Sequence, residues 1–443
     1  MDTSPDPDPI TRLVRACEPS EALSASDPRY VDCDDVRGEA LVESYLRSLR
    51  RANPTRPEVK LFAGHRGVGK TCELNRLKAR LEAPESQANP NRPFQVVYMD
   101  TADRLDLNDL DLPDLLVFIA AEVQKQLRAA NIPGFSPVST YLTTVWGEIK
   151  ETLQSEVVLK EAGVDTGFGS LSIELKNRPG SRRALREAIE RHSTRLLDGV
   201  NDVLESASVR LRESGHAGLV LIVDGLERLV FRKVEDSTTH DRLFLDRSEQ
   251  LASLKAHTIH TVPISLFYST RCAQLEQTLG EHNVPVPMIR LHDRGQSKVS
   301  PDSPGMKKLW QMIEARCRYA KVDIKDLFDH PDTGHYLCEM TGGHPRHLMV
   351  FLQAAMNAVD HLPVTRAAAQ KAVRNYANSL LREMPETYWT ELRRFKEPQS
   401  QIPKNEAHQQ MLFLLHLFEY MNSQPWYEVN PVIRTLPQFE QAG

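Results

Sequence analysis

The residues of this chain that could do chemistry concentrate in one short run. Gly64-His-Arg-Gly-Val-Gly-Lys70-Thr71 satisfies every position of G-x-x-x-x-G-K-[ST], a loop that binds phosphate. Gly64, Gly67 and Gly69 can take backbone angles closed to other residues, so amide N–H groups can converge on phosphate oxygens. A helix starting at the loop's end adds its positive pole. Lys70 is placed to reach the outer phosphates and is expected to be solvent-accessible. The Thr71 hydroxyl is placed to bind Mg²⁺. His65, Arg66, Val68 and Cys72 fill the remaining positions around the nucleotide. Cys72, at a helix start, reads either as a reactive thiol or as a small buried residue.

A second signal is acidic. Gly218-Leu-Val-Leu-Ile-Val-Asp224 is an apolar strand tipped by a carboxylate, and Glu227 follows three residues later. In a parallel sheet the ligand crevice lies beyond the carboxyl ends of the strands. That puts Asp224 where Mg²⁺ would sit, directly or through water. Glu227 is the candidate base that orients an attacking water, or else a solvated side chain. Ser269-Thr-Arg271 ends another expected strand. Ser269 is placed to touch a γ-phosphate or the attacking water and Arg271 to stabilise charge developing in phosphoryl transfer, unless both cap the strand. In Met340-Thr-Gly-Gly-His-Pro345-Arg346, two glycines end one helix and Pro345 opens the next. A cation at a helix start opposes the helix dipole, so Arg346 asks for an outside anion such as phosphate; the alternative is a helix hairpin with a surface arginine. His257-x-x-His260 and the Asp236, His240, Asp241 group lack a complete ligand set for a metal and read as loop residues.

These groups need elements to hold them. Leu61, Phe62 and Ala63 suit a buried strand before the loop, and Leu74, Leu77 and Leu81 mark a helix face after it. Further strands are expected over 94–99, 219–223, 262–268 and 288–291. Helical patterns cover 40–51, the run opened by Pro113, and 247–254. An insertion over about 135–215 begins with loop signals and ends in one long helical pattern from Leu185 to Leu211. Residues 306–376 are helical, and 378–443 holds two more helical patterns. Strands alternating with helices give an α/β fold: a parallel sheet with helices on both faces, followed by a helical lid.

Bulk properties bound the reading. With 443 residues the chain should hold two or three domains, and a hydrophobic content of 40% supports real cores. A net charge of −5 argues against a generally basic nucleic-acid binder while leaving a local basic patch open. No apolar run approaches a bilayer span. The N-terminus is acidic and proline-rich, unlike a signal peptide. The 6 cysteines are scattered with no C-x-x-C pair, which suits reduced thiols in the cytoplasm.

In order and content these signals resemble the bacterial STAND-type ATPases, relatives of the AAA+ and origin-recognition ATPases. The pieces that carry the resemblance are Gly64 to Thr71, Leu219 to Glu227, Thr261 to Ser269 and Gly342-Gly-His-Pro-Arg346. The last is similar to that family's G-x-P element, which implies that Pro345 packs near adenine and Arg346 senses the γ-phosphate. Trp426 to Arg434 resembles the end of a winged-helix domain. The resemblance implies a strand inserted between the phosphate-loop strand and the acidic strand, bringing Ser269 to Arg271 close to the γ-phosphate. It further implies an ATP-driven switch that oligomerises, with ADP holding the resting state. Two departures stand out. Gly225 lies where many AAA+ proteins place the catalytic Glu, and neither an effector domain nor a repeat-rich sensor is visible. On this reading the effector or sensor is a partner protein. The domains expected are a disordered or peripheral segment 1–28, an ATPase domain 29–295, a helical lid 305–376 and a winged-helix-like domain 377–443. The expected ligands are ATP or ADP with Mg²⁺. The readings beside this one are a DNA-loading origin-recognition-like or transposition-helper ATPase, and a scaffold that binds ATP without turnover. Residues 375–443 carry 6 Lys/Arg against 8 Asp/Glu, which disfavours DNA.

Overall fold

The computed structural model describes residues 7–440 except 39, 54, 85, 87–90, 103, 137–139, 153–178, 280–282, 284 and 297. They group into two compact units, one of residues 42–63 and 77–285, the other of residues 1–41, 64–76 and 286–443.

The first unit is built on a four-stranded parallel sheet. Its strands are β1 (Val59–Phe62), β2 (Phe94–Asp100), β3 (Gly218–Asp224) and β4 (His257–Thr261), in the spatial order β1-β4-β3-β2. A strand is thus inserted between β1, which runs into the phosphate loop, and β3, which ends in Asp224. All 7 residues of β3 are buried, as a strand covered on both faces requires. The helix Leu112–Ala129 packs on β2 and the helix Ser193–Glu213 on β3. Asp111 caps the first of these in a capping box with Asp114, and Pro113 sits in its opening turn, where a missing N–H costs nothing.

Three expectations shift here. The strand placed at 262–268 lies earlier, at His257–Thr261, and Ile264–Tyr268 is a 3-10 helix. Pro263 explains the shift: it has no N–H for a ladder, and pairing stops as Val262 N–H donates to Phe62 O at 3.2 Å. His257 and His260, read as loop residues, are therefore buried strand residues, and His240 lies in the helix Thr239–Phe244. The single long helix is two, Pro179–Arg191 and Ser193–Glu213, broken at His192. The loop signals at 167–169 lie outside the described residues.

The second unit joins both ends of the chain. Helices Pro304–Ala320, Pro331–Met340, Pro345–Met356 and Arg366–Glu383 form its helical part. The segment expected to be disordered or peripheral instead carries a helix, Pro9–Ala16, that packs on the first and third of these and buries Leu13 and Ala16. Tyr388–Arg393 and Glu406–Phe413 follow, then an antiparallel ribbon of β5 (Leu417–Asn422) and β6 (Gln424–Val429) and the short helix Pro431–Arg434. The strand expected at 288–291 does not join the sheet. Met288 N–H donates to Glu419 O on β5 at 3.3 Å, and Arg290 N–H donates to Val36 O at 3.1 Å. Among the described residues, no helix is long and apolar enough to cross a membrane.

Candidate functional site

The phosphate loop has the backbone its glycines allow. Gly64, Gly67 and Gly69 have φ of 142°, 90° and 104°. A Cβ at Gly64 would lie 2.9 Å from Val286 O, and one at Gly67 only 2.8 Å from His344 Cε1, so both positions need glycine for space as well. Lys70 opens the helix Lys70–Glu82. Contrary to its expected accessibility, Lys70 is only 3% exposed. Its Nζ donates to Gly64 O at 2.9 Å and His65 O at 3.0 Å, drawing the ammonium back across the start of the loop. Thr71 and Cys72 are half-buried. Burial raises the Cys72 thiol pKa, which favours the small buried residue over the reactive thiol.

His65, a free position of the motif, is fully buried. Its Nε2 accepts from Glu419 N–H at 2.8 Å, so the proton sits on Nδ1, which faces Leu412 O at 3.2 Å. Burial holds its pKa down at about 3, opposed by the Leu412 carbonyl and helped by the Lys70 charge. His344 meets the loop from the Gly342–Arg346 element. Its Nδ1 accepts from His347 N–H at 3.1 Å, and its Nε2 donates to Arg66 O at 2.9 Å. It stacks on Phe418, and burial drives its pKa well below the ordinary value. Two of the sequence signals, the loop and the Gly-Gly-His-Pro-Arg element, are thus in contact within one unit. Pro345 opens its helix as expected, and Arg346 Nε donates to Pro19 O at 3.1 Å.

The sequence reading missed the residues that brace the loop from upstream. Arg37 is buried; its Nη2 donates to Val68 O at 2.6 Å and its Nη1 pairs with Glu73 at 3.3 Å. Tyr30 OH also donates to Glu73, and Arg76 pairs with Asp32 at 2.8 Å and Asp34 at 3.0 Å. Burial raises the Glu73 carboxyl pKa while Arg37 and Arg76 pull it back. Nothing near Arg37 in sequence announces this, because its partner carbonyl is 31 residues away.

In the other unit, Asp224 ends β3 as expected and is 2% exposed. Its Oδ1 accepts from Gly225 N–H at 2.8 Å, and its Oδ2 accepts from Tyr98 OH at 2.6 Å. Its carbonyl accepts from Thr101 N–H and Thr101 Oγ1, both at 2.9 Å. Gly225 has φ of 93°, and a Cβ there would lie 2.7 Å from Thr101 Oγ1. The turn at Gly225 therefore has no room for a side chain. Glu227 sits in the 3-10 turn Leu226–Arg228 and is 5% exposed, which excludes the solvated reading. The turn is tied to β4 by Leu226 N–H donating to Thr261 Oγ1 at 3.1 Å.

Ser269 is buried and its Oγ accepts from Arg271 N–H at 3.2 Å. It follows a 3-10 helix rather than ending a strand. Arg271 has its own carboxylate partner, Asp246 at 2.7 Å, and also donates to Gln274 at 3.0 Å. His240 is buried between Ser265 Oγ at 2.9 Å and Leu229 O at 2.8 Å. Among the described residues, no three His, Cys, Asp or Glu side chains gather as metal ligands.

The chemistry of the donor set fits a nucleotide with Mg²⁺. Positive-φ glycines and a helix start suit a phosphate chain. The Thr71 hydroxyl in one unit and the Asp224 carboxylate in the other are each hard oxygen donors of the type this cation takes.

No family model matches the chain, and no curated protein does. Solved structures do. The Aeropyrum pernix ORC2 protein, determined as ADPNP-ADP complexes, is 12% identical with a TM-score of 0.48, and the match covers 96% of each chain. A Walker-type ATPase of Pyrococcus abyssi is 14% identical with a TM-score of 0.41, covering 92% of this chain and 99% of that one. The Aeropyrum pernix ORC1 protein in complex with DNA is 13% identical with a TM-score of 0.40, covering 96% and 95%. Over nearly its whole length the chain therefore resembles ORC proteins and a Walker-type ATPase distantly, and its function has to be argued from its own residues.

Proposed function

We propose that this chain is an ATP-binding and ATP-hydrolysing switch that couples nucleotide state to self-assembly and to control of a partner protein. The observation that supports it best is the phosphate loop itself: a complete motif, three glycines at positive φ, and Lys70 at the start of the helix. The loop amides and Lys70 bind the phosphates, and Thr71 and Asp224 hold Mg²⁺. When bound, the metal neutralises charge on the outer phosphates. Glu227 orients the attacking water, and its buried position favours that role over a surface one. Ser269 contributes a hydroxyl near the γ-phosphate. Arg271, tied to Asp246, is given no role. Pro345 and Arg346 sense whether the third phosphate is there, and the protein works in the cytoplasm.

The acid excess of the C-terminal stretch favours a protein partner over DNA. DNA loading is the second reading, and salt-dependent retention on DNA would revive it.

The test is binding of a fluorescent ADP analogue and release of phosphate from ATP, with Lys70→Ala beside the wild type. We expect the wild type to bind and hydrolyse, and the variant to lose one or both while still folding. Equal binding and turnover in the two proteins would overturn the proposal.

A further inference from the structure

The acidic strand tip has a feature that the phosphate-loop motif does not call for. β2 and β3 run in register, with Tyr98 opposite Ile222 and Asp100 opposite Asp224. Register partners put their side chains on the same face of a sheet, and residues two apart on one strand share it. Tyr98 therefore lies diagonal to Asp224, a separation that a long aromatic side chain spans. Its hydroxyl donates to Oδ2 at 2.6 Å. With Gly225 N–H on Oδ1 and Thr101 on the main-chain carbonyl, the aspartate is held at three points by two strands and a turn.

We propose that Tyr98 is the positioning residue for Asp224, fixing the carboxylate in the one rotamer that takes Mg²⁺ with the nucleotide. This rests on the nucleotide reading above. Without the phenol, Oδ2 loses that hydrogen bond and the carboxylate is held less firmly in its rotamer. Groups that orient a metal ligand in this way typically matter by roughly 10–100-fold in metal affinity.

The experiment is a Mg²⁺ titration of fluorescent-ADP binding to the full chain, with Tyr98→Phe, Tyr98→His and Tyr45→Phe beside the wild type. Tyr45 is the stability control, a buried phenol whose hydroxyl donates to Leu61 O at 2.6 Å. We expect Tyr98→Phe to raise the Mg²⁺ concentration for half-saturation by roughly tenfold, leaving nucleotide affinity in EDTA unchanged. Tyr98→His, which restores a ring N–H donor, recovers part of the loss. Tyr45→Phe lowers the melting temperature without moving the Mg²⁺ midpoint. An unmoved midpoint in folded Tyr98→Phe overturns the inference and leaves the nucleotide reading intact. A wild type that binds nucleotide identically with and without Mg²⁺ overturns the inference through its metal. A wild type that binds no nucleotide at all overturns both.

Discussion

At the scale of single residues, the groups proposed to bind nucleotide and metal were legible and the groups that brace them were not. Gly64, Gly67, Gly69, Lys70, Thr71 and Asp224 declare themselves by type and spacing. The buried state of Lys70 alters what its removal means. Lys70→Ala strips a donor from Gly64 O and His65 O, each worth about 1 kcal/mol if water cannot replace it. A modest fall in melting temperature should therefore accompany loss of nucleotide binding, and a differential-scanning measurement checks it. Asp224→Asn and Glu227→Gln should separate. The first weakens Mg²⁺-dependent binding, and the second mainly lowers kcat at unchanged nucleotide affinity. Glu227→Gln hydrolysing ATP at the normal rate would place the base elsewhere. Tyr98 escaped the sequence because it lies 126 residues from Asp224, and a tyrosine inside an apolar strand looks like core.

Among the elements, strands and helices with strong periodicity came through, while the ends and the unpaired pieces did not. The inserted strand was placed correctly between β1 and β3, but five residues late, because the apolar run after Pro263 outweighed the histidines before it. Residues 288–291 have a strand's composition but pair with β5 and Val36, a choice made by tertiary contacts alone. The joint between the phosphate loop, the helix Pro345–Met356 and β5 is made of neutral histidines. His65 and His347 each have a pKa lowered to about 3 by burial. A histidine in the unfolded chain titrates near about 6.5, so between these values the unfolded state binds more protons. Stability is fully present above about pH 6.5 and falls as the pH drops toward 3. A proton on His65 Nε2 would also face the Glu419 N–H it now accepts from. We expect the melting temperature to be level from pH 7 to 8 and to fall steadily below about 6.5. His65→Gln should show a shallower fall. Identical pH profiles for the two proteins would show that His65 is not among the groups responsible.

For the whole molecule, the informative fact is which segments group together. The sequence divides naturally into consecutive stretches, but the described residues form two units that each draw on separated parts of the chain. The phosphate loop, residues 64–76, belongs with the N-terminal segment and residues 286–443. Composition carries no sign of this, since the grouping comes from Arg37, His65 and His344 reaching backbone atoms far away in sequence. The loop thus lies in the same unit as the Gly342-Gly343 pair, whose φ values of 59° and 83° make it a place where the chain turns sharply. A ligand shifts a conformational equilibrium only through contacts that differ between the two states. We expect Arg346→Ala to bind ADP normally while ATP no longer promotes assembly. Light scattering with each nucleotide reads this, and equal ATP-driven assembly would leave Arg346 as a structural tie to Pro19.

The hydrogen bonds of His65 have a further consequence, for how such a link can be inherited. Both of its partners, the Leu412 carbonyl and the Glu419 N–H, are main-chain atoms. The hydrogen bonds themselves do not depend on the side chains at 412 and 419, proline at 419 being the exception because it has no N–H to give. The hydrogen-bonded part of a connection spanning 354 residues is therefore written into one side chain. Comparing how pairs of positions vary together would pass over it, and a screen of single substitutions at position 65 would find it.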